Sequence, residues 1–379
     1  KRDSVFDFSG RRGVVTIHTE EHEKYMQTAL GLAKKGMHTA KPNPRVGCVV
    51  VSENKIVGQG WHRQTGAAHA ETIALSEAGD KAKDSTVYST LEPCTHFGQT
   101  PPCVEALIAA AVGKVVYAME DPNPVVSGQS RKILESAEIE VISGVLSQES
   151  KDLNIGFHKR MQYGLPYIRT KIAASIDGKT ALLNGESQWI SSKQSRDDVQ
   201  LWRARSCALV TSIDTVIADD PSLNVRINDF ADIDQPTRVI LDSQLRMRGD
   251  YKILKSPGDV IVYSLQQVHN DPIFEGMIET TDERDGHVSL ESVFRDLANK
   301  EINEVMFECG GILNGALLKQ NFIDEIIIYL APCILGNQAN NMFSLPAISA
   351  MSERYNFNLI QVDRTGDDIR VILRKANLV

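Results

Sequence analysis

Four residues in the first third of the chain carry the groups that a catalytic zinc site requires. His69 and Glu71 stand in the string His-Ala-Glu, Cys94 follows Pro93, and Cys103 lies a short distance further along. Zinc favours thiolate and imidazole ligands in a tetrahedron, and a catalytic site keeps three protein ligands so that water can take the fourth position. We therefore expect His69, Cys94 and Cys103 to bind zinc.

Glu71 adds a group that a structural zinc site does not need. Zinc deaminases combine H-x-E with P-C-x-x-C, and their glutamate moves protons without binding the metal. Bound zinc lowers the pKa of its water towards about 7, so that the water can attack an amidine carbon and ammonia can leave. If His69 and Glu71 open a helix, the carboxyl group reaches this water and the ring atom that is protonated. The pattern predicts a zinc-dependent deaminase of a pyrimidine-type substrate.

Two other interpretations of these residues stay open at this point. Cys94 and Cys103 could be buried core thiols, with His69 an ordinary hydrogen-bonded histidine. A structural zinc site is the second alternative, but it needs four protein ligands and no fourth one stands at a convincing spacing. His96 is the nearest candidate, and its closeness to Cys94 favours a role as a substrate contact.

Composition and charge exclude several classes of protein. The 379 residues are 42% hydrophobic and 24% charged, as in globular proteins that contain more than one domain, and we find no apolar stretch of membrane-spanning length. The formal net charge of -8 argues against a broad grip on nucleic acid. Six cysteines without a dense disulfide framework favour a reducing cytoplasm. Residues 1–20 lack an apolar stretch like the core of a secretory signal, and we expect them to be a flexible tail.

The hydrophobic pattern predicts two α/β domains. A hairpin at 46–51 and 56–60 precedes the zinc residues, and strands and helices then alternate. Gly164-Leu165-Pro166 is a turn signal after which a new strand pattern begins, so we place a deaminase domain at 21–163 and a second domain at 166–379. The predicted helices cover 21–35, 69–78, 102–111, 130–137, 153–161, 193–204 and 311–320. The remaining predicted strands cover 86–90, 114–118, 139–142, 167–173, 208–211, 238–242, 260–263, 304–308 and 325–331.

Three strings resemble one enzyme family: P-N-P at 42–44, H-A-E at 69–71 and T-L-E-P-C-T-H-F-G-Q-T-P-P-C at 90–103. They are similar to those of the bifunctional riboflavin-biosynthesis deaminase-reductases, whose zinc cysteines lie further apart than those of cytidine and tRNA-adenosine deaminases. The resemblance extends from about residue 22 to the C-terminus. It implies a cytidine-deaminase-like α/β/α domain followed by a dihydrofolate-reductase-like α/β domain.

The resemblance also implies the reactions and the ligands. The first half would deaminate the diamino-ribosylamino-pyrimidinone 5'-phosphate with one zinc ion per chain. The second half would use NADPH to reduce the ribosyl side chain to ribityl, giving 5-amino-6-ribitylamino-uracil 5'-phosphate. The expected partners are these small pyrimidine phosphates and further copies of the chain, in a dimer or tetramer, with neither nucleic acid nor membrane.

In the deaminase half, the resemblance assigns substrate binding to Asn43, His62 and His96. The chain departs from the family at Gln99, where Lys or Arg commonly precedes T-P-P-C. This departure puts a charged contact to the substrate phosphate in doubt.

In the second half, the resemblance assigns two sets of residues. The reductase substrate would contact Ser187, Arg203, Leu223, Arg226 and Glu308. NADPH would contact Ala173, Trp189, Thr215, Asp219, Ser243, Gly310, Gly311, Ile312, Leu313, Asn314, Gly315 and Ala316. The two arginines suit phosphate because guanidinium forms bidentate, permanently charged pairs with its oxygens. Lys171 and Asp177 are candidates to polarise or protonate the sugar, but hydride chemistry belongs largely to the cofactor, so we assign neither of them a catalytic role.

The glycines at 310 and 311 suit a pyrophosphate by their position alone. They follow a predicted strand and open a predicted helix, where backbone N–H groups and the helix dipole favour an anion. An ordinary strand-to-helix turn explains the same glycines equally well. No G-x-G-x-x-G string follows the first strand of this domain, which disfavours an ordinary Rossmann site.

Two rival functions follow from the same motifs. A nucleic-acid base deaminase shares the H-A-E string, but it needs a basic groove that the acidic net charge does not favour. A non-catalytic binding module could keep the fold and the metal, but it would have no need for Glu71.

Overall fold

The computed structural model describes residues 19–97, 101–124, 126–227, 233–266, 274 and 276–376. The backbone contacts divide the chain into two units, one of Lys1–Lys35 and Arg45–Leu153 and the other of Gly36–Pro44 and Asn154–Val379. Gln99 and the first eighteen residues of the predicted tail lie outside the described residues. In the described part of the chain, no helix combines the length and the apolar character needed to cross a membrane.

The first unit is built on a five-stranded sheet with the strand order β2-β1-β3-β4-β5. Strand β1 runs antiparallel to β2 and β3, while β3, β4 and β5 are mutually parallel. The strands are β1 (Gly47–Ser52), β2 (Lys55–Trp61), β3 (Thr86–Ser89), β4 (Lys114–Tyr117) and β5 (Glu140–Ser143). The helices are α1 (Glu20–Ala33), α2 (Ala70–Ala78), α3 (Cys103–Ala109), α4 (Gln129–Ser136) and α5 (Ser147–Leu153).

Glycines let helix α2 pack directly on strand β2. A Cβ atom at Gly58 would lie 2.1 Å from the Ala74 carbonyl oxygen, and one at Gly60 would lie 2.3 Å from that of Ala70. No side chain fits at either place, so the helix backbone touches the strand. This contact fixes the start of α2, and with it the residues that open the helix.

The second unit contains a nine-stranded mixed sheet with the order β11-β10-β9-β8-β14-β6-β15-β18-β17. The seven strands from β11 to β15 in this order are parallel, and β18 and β17 add two antiparallel strands at one edge. The long strands are β6 (Tyr167–Ser175), β8 (Ala208–Ser212), β9 (Thr237–Leu241), β10 (Val260–Ser264), β14 (Glu304–Phe307), β15 (Glu325–Ala331), β17 (Phe357–Thr365) and β18 (Asp368–Lys375). The short strands are β7 (Lys179–Ala181), β11 (Ile278–Thr280), β12 (Glu283–Arg284), β13 (His287–Val288) and β16 (Asn340–Asn341).

Helices cover this sheet and enclose its core. They are α6 (Ile155–Tyr163), α7 (Lys193–Arg205), α8 (Ile213–Asp219), α9 (Lys252–Lys255), α10 (Leu290–Asn299) and α11 (Gly311–Lys319). Apolar residues of α10, such as Phe294, pack with Phe307 of β14 and with Ile168 and Ile172 of β6. Because parallel strands are buried on both faces, their sequences are nearly continuous apolar runs.

The contact-based units differ from the domains predicted at 21–163 and 166–379 in two segments. Residues 36–44 and helix α6 group with the second unit. In α6, Lys159 lies 2.5 Å from Asp324, and a Cβ atom at Gly156 would lie 2.4 Å from the Glu304 side chain. The helix therefore packs on the sheet that follows it in sequence, which the turn signal at 164–166 did not indicate.

Candidate functional site

The predicted zinc ligands come from three places in the first unit. His69 is the N-cap residue of α2, Cys94 lies in the loop after β3, and Cys103 is the first residue of α3. Their ligand atoms all lie within 4.8 Å of one another. The structure thus brings together three residues that the sequence separates.

The distances between these atoms fit one tetrahedral zinc ion. The Nδ1 atom of His69 lies 3.2 Å from the Cys103 Sγ and 3.4 Å from the Cys94 Sγ. Bond lengths of about 2.3 Å to sulfur and about 2.0 Å to nitrogen place such atoms about 3.5 Å apart in a tetrahedron. Within the described residues, no fourth His, Cys, Asp or Glu joins the cluster, so the fourth position is left to water or substrate.

Glu71 stands beside this cluster in the first turn of α2. Its carboxyl group is buried, with Oε1 accepting a hydrogen bond of 2.9 Å from the Ser89 hydroxyl and Oε2 lying 3.5 Å from the Cys103 Sγ. Burial raises the pKa of Glu71, and the charge of Cys94 raises it further, while His69 opposes the shift. Burial therefore favours the protonated carboxyl group, which suits a residue that takes up and returns protons.

The two thiols have opposite proton affinities. Cys94 accepts hydrogen bonds from the Cys103 thiol and, at 3.3 Å, from the Cys103 backbone N–H, and these bonds lower its pKa to about 4. The same side-chain hydrogen bond, together with burial, raises the pKa of Cys103. The Cys94 hydrogen bond raises the pKa of His69. A thiolate at neutral pH is the form of cysteine that binds zinc.

The three predicted contacts for the deaminase substrate lie in different settings. His62 is buried, its ring stands edge-on to His69 at 5.6 Å between centroids, and burial lowers its pKa. His96 is exposed on the loop two residues after Cys94, and Asn43 is half-buried within the 36–44 segment. Gln99 lies outside the described residues, so the missing cation at that position stays a sequence observation.

Two buried polar residues of this unit, Ser89 and Glu92, were given no role by the sequence analysis. Ser89 bonds Glu71, and Glu92 is a buried carboxylate that supports the loop after β4. Glu92 accepts hydrogen bonds from the backbone N–H groups of Asp121, Gly128 and Ser130 and from the Ser130 hydroxyl, at 2.8 to 3.2 Å. Glu92 stands two residues before Cys94 in the P-C string, and nothing local in the sequence shows that it faces inward.

Most of the predicted reductase residues lie near the carboxyl ends of parallel strands in the second unit. Ala173 is near the end of β6, Ser243 follows β9, and Glu308 follows β14. Thr215 and Asp219 lie in α8, whose N-cap Ser212 ends β8. In open α/β sheets, ligands bind outside the carboxyl ends of the strands.

Glu308 is the centre of an ion cluster at this edge. Arg203 holds it in a bidentate pair with distances of 2.6 and 3.0 Å, and the Lys171 Nζ lies 3.4 Å away. Burial alone would raise the pKa of Glu308, but Arg203 and Lys171 lower it to about 2. Arg203 therefore neutralises a protein carboxylate, and of the two predicted phosphate ligands only Arg226 has an exposed side chain. Arg226 bonds the Asn224 side chain at 2.7 Å.

The glycine-rich start of α11 has a packing role that the sequence did not indicate. A Cβ atom would lie 2.3 Å from the Asn341 carbonyl oxygen at Gly311 and 2.1 Å from that of Ser344 at Gly315. A Cβ atom at Gly310, the N-cap residue, would meet no atom within 4 Å. Asn314 is buried and accepts a hydrogen bond of 2.7 Å from Thr170. Of this run, Gly310 and Ile312 are exposed, while Leu313 and Ala316 are half-buried.

The remaining predicted contacts differ in exposure. Trp189 is 71% exposed and Ser187 is half-buried in the loop before α7, whereas the Leu223 side chain is buried with α8 and β9. The Ser243 hydroxyl accepts a hydrogen bond of 3.0 Å from the Val288 backbone. Burial raises the pKa of Asp219. The roles of these residues stay predictions.

Comparison with known proteins identifies the family. The profile of the cytidine and deoxycytidylate deaminase zinc-binding region matches residues 19–119, and that of the RibD C-terminal domain matches residues 166–371. The riboflavin biosynthesis protein RibD of Escherichia coli K12 is 42% identical over 359 residues, covering 92% of this chain and 98% of that protein. The chain belongs to the RibD family.

Solved structures agree with this assignment. RibD of Acinetobacter baumannii (form 1) is 42% identical with a TM-score of 0.88, covering 94% of this chain and 99% of that one. The deaminase/reductase of Thermotoga maritima is 31% identical with a TM-score of 0.84 and the same coverage. The protein is a bifunctional deaminase and reductase of riboflavin biosynthesis, with a zinc-binding deaminase domain and a reductase domain that uses NADPH. The predicted fold class is confirmed, and the full-length match decides against a nucleic-acid base deaminase.

Proposed function

We propose that His69, Cys94 and Cys103 hold the zinc ion of the deaminase and that Glu71 carries its protons. The observation that supports this proposal is the spacing of 3.2 and 3.4 Å between the His69 Nδ1 and the two sulfur atoms, with Glu71 Oε2 beside them. The substrate is the diamino-ribosylamino-pyrimidinone 5'-phosphate, in line with the activity named for the Thermotoga maritima enzyme.

We assign different roles to the two carboxylate oxygens of Glu71. When bound, zinc supplies a Lewis acid that lowers the pKa of a water molecule to about 7. Glu71 Oε1 is fixed by the Ser89 hydroxyl, so Oε2 is the oxygen that would be free to take up a proton as water adds to the ring. Glu71 would give that proton to the ring nitrogen, and it would then move the proton of the hydroxyl group added to the ring carbon to the amine, which leaves as ammonia while the hydroxyl oxygen becomes a carbonyl. Asn43, His62 and His96 hold the ring and the ribose.

Replacing Glu71 by Gln tests this assignment. Glu71→Gln keeps the shape of the side chain and removes its proton affinity, so ammonia release should fall by about three orders of magnitude or more while zinc content stays at one per chain. Glu77→Gln is the matched control, because Glu77 is an exposed carboxylate on the same helix. Near-normal ammonia release by Glu71→Gln would refute the proton-carrier role.

We further propose that residues 21–163 perform the deamination and residues 166–379 the reduction. NADPH binds through Ala173, Trp189, Thr215, Asp219, Ser243 and the 310–316 segment, and the sugar phosphate binds through Ser187, Arg203, Leu223, Arg226 and Glu308. This proposal is supported by the gathering of most of these residues at the carboxyl edge of the sheet. The cofactor performs the hydride chemistry, and the protein positions the two molecules.

The reductase assignment is tested on the full chain with the deaminated pyrimidine phosphate as substrate. Arg226→Gln should raise the KM for this substrate about tenfold and leave ammonia release unchanged, because Arg226, unlike Arg203, is exposed and is not paired with Glu308 by a hydrogen bond. Arg248→Gln, an exposed arginine of the same unit, is the control. An unchanged KM in Arg226→Gln would contradict the phosphate contact.

We also infer that the enzyme forms a homodimer through strand β17. This strand is the edge of the sheet, and Leu359, Ile360 and Val362 on it are 63%, 47% and 54% exposed. An apolar edge strand with one unpaired side associates readily with another strand, and a second copy offers an identical one. Light scattering should give twice the chain mass, and Val362→Lys should give monomers where Ile133→Lys does not. A monomeric wild-type protein would refute the dimer.

The cysteines suit a reducing compartment, and we infer that the enzyme works in the cytoplasm. All six are free thiols in the structure, including the predicted zinc ligands. Oxidation of these ligands to a disulfide would remove the thiolates that bind zinc. Zinc content should therefore fall after treatment with oxidant and return with reductant, and zinc content that is insensitive to oxidant would show that the site does not need a reducing compartment.

A further inference from the structure

Trp189 is an exposed indole that is held in place from one side. It is 71% exposed, and the guanidinium of Arg196 lies over its ring, 4.4 Å from the ring centroid. A second contact fixes Arg196, because its NH1 group donates a hydrogen bond of 2.5 Å to the Ser191 carbonyl oxygen. With Arg196 over the ring and 71% of the residue exposed, most of the indole surface remains accessible to a ligand.

The segment that carries this pair is tied to the sheet. Ser192 is the N-cap of α7 and its side chain accepts a hydrogen bond from the Ser195 backbone N–H at 3.2 Å. The Ser192 backbone N–H and the Ser195 hydroxyl also donate to the buried carboxylate of Asp368 in β18, at 2.8 and 2.5 Å. The first turn of α7 is therefore anchored at its start, and Arg196 projects from an ordered backbone.

We infer that Arg196 is a positioning residue that holds the Trp189 indole as a fixed stacking surface for an aromatic ring of NADPH. This inference rests on the proposed NADPH contact of Trp189. A free indole at the surface rotates about two side-chain torsions, and a ligand that stacks on it must first order it. The cation–π contact with the guanidinium orders the indole before NADPH binds, so binding does not have to supply the entropic cost of ordering it. Indole stacking accepts any π-face, so this surface contributes affinity rather than cofactor choice.

The test compares two single-charge changes in the same helical turn. Arg196→Gln removes the cation from Trp189, whereas Lys193→Gln removes an exposed cation that pairs with Asp197 at 2.7 Å and does not contact Trp189. We expect Arg196→Gln to raise the KM and the Kd for NADPH about five- to tenfold, with kcat of the reduction changed less than twofold. Lys193→Gln should leave all three values within twofold. Ammonia release, measured on the same preparations, should be unchanged.

A double variant shows whether Arg196 acts through Trp189. In the Trp189→Ala background, Arg196→Gln should add less than a twofold change, because the surface that it orders is gone. A full additional loss in the double variant, an equal loss in Lys193→Gln, or no loss in Arg196→Gln would each overturn the inference. The proposed contact between Trp189 and NADPH is tested separately by Trp189→Ala. If this single variant binds NADPH as well as the wild type, the contact itself is wrong. If Trp189→Ala weakens binding and Arg196→Gln does not, only the positioning role is wrong.

Discussion

Replacing Glu308 by Gln should destabilise the reductase half by an amount that depends on pH. Glu308 is buried between Arg203 and Lys171, and its side chain is only 12% exposed. The variant keeps the shape of the side chain and removes the charge that the two cations face. Removing the negative charge leaves the two buried cations without their partner, which lowers the free energy of unfolding.

The size of the effect follows from the pKa. The ordinary value of 4.5 falls to about 2 in the folded protein, and at 1.36 kcal/mol per unit this corresponds to about 3 kcal/mol of folding free energy. Because the folded pKa is the lower one, this stability is fully present above about pH 4.5 and is lost as the pH falls towards 2. Glu308→Gln should therefore cost about 3 kcal/mol at pH 7 and about half of that at pH 3.

The assay is urea unfolding of the full chain at both pH values. The transition of the reductase half is recognised at pH 7, because NADPH raises its midpoint there. Glu291→Gln is the control, since Glu291 forms an exposed pair with Arg295 and its loss should cost less than about 0.5 kcal/mol. A loss below about 1 kcal/mol at pH 7, or an equal loss at pH 3, would refute the reasoning.

Two further predictions concern residues that the sequence did not reveal or explain. Glu92→Gln should lower the stability of the deaminase half by about 2 to 3 kcal/mol, because Glu92 accepts four hydrogen bonds in the interior. Thermal unfolding measures this loss, and Glu105→Gln, at an exposed position, is the control. Equal midpoints for the two variants would contradict the prediction. Gly315→Ala should cost about 1 to 3 kcal/mol, since its Cβ would lie 2.1 Å from the Ser344 carbonyl oxygen. Gly310→Ala meets no atom and should cost less than about 0.5 kcal/mol; equal losses in the two variants would show that packing does not explain Gly315.

The sequence predicts the zinc cluster well because the chemistry requires particular residue types. His, Cys and Glu have few substitutes around zinc, so their spacing carries the signal even before any fold is known. The elements that hold them are also predicted, since helices were expected at 69–78 and 102–111 and a strand at 86–90, where α2, α3 and β3 lie. From the sequence, the meeting of His69, Cys94 and Cys103 at one point is an expectation. The structure shows their ligand atoms together.

Buried polar partners could not be predicted from their local sequence. Arg169, Glu304 and Glu325 are buried charges in adjacent strands, with Arg169 lying 3.2 and 2.5 Å from the two carboxylates. Arginine and glutamate are residue types that usually lie at the surface, so the sequence gives no sign that these three are buried. Only the order of the strands in the sheet makes them neighbours. Ser89 likewise becomes the partner of Glu71 only when β3 reaches the start of α2.

Several elements of the second unit were not predicted, for different reasons. Strand β17 exposes apolar and polar residues on both faces, so it shows neither helical nor strand periodicity. Helix α10 (Leu290–Asn299) was not predicted, although its apolar residues follow a helical spacing. The packing of α6 on the second unit depends on Gly156 and Lys159, whose partners lie far along the chain.

The central claim is that one chain carries a zinc-dependent deaminase and a separate NADPH-dependent reductase. The most direct measurement removes zinc from the purified full chain with a chelator and follows ammonia release and NADPH oxidation on the same preparation, with the deaminated pyrimidine phosphate supplied for the second assay. We predict that ammonia release disappears and returns with added zinc, while NADPH oxidation persists throughout. Ammonia release by the metal-free chain, or loss of both activities together, would contradict the account.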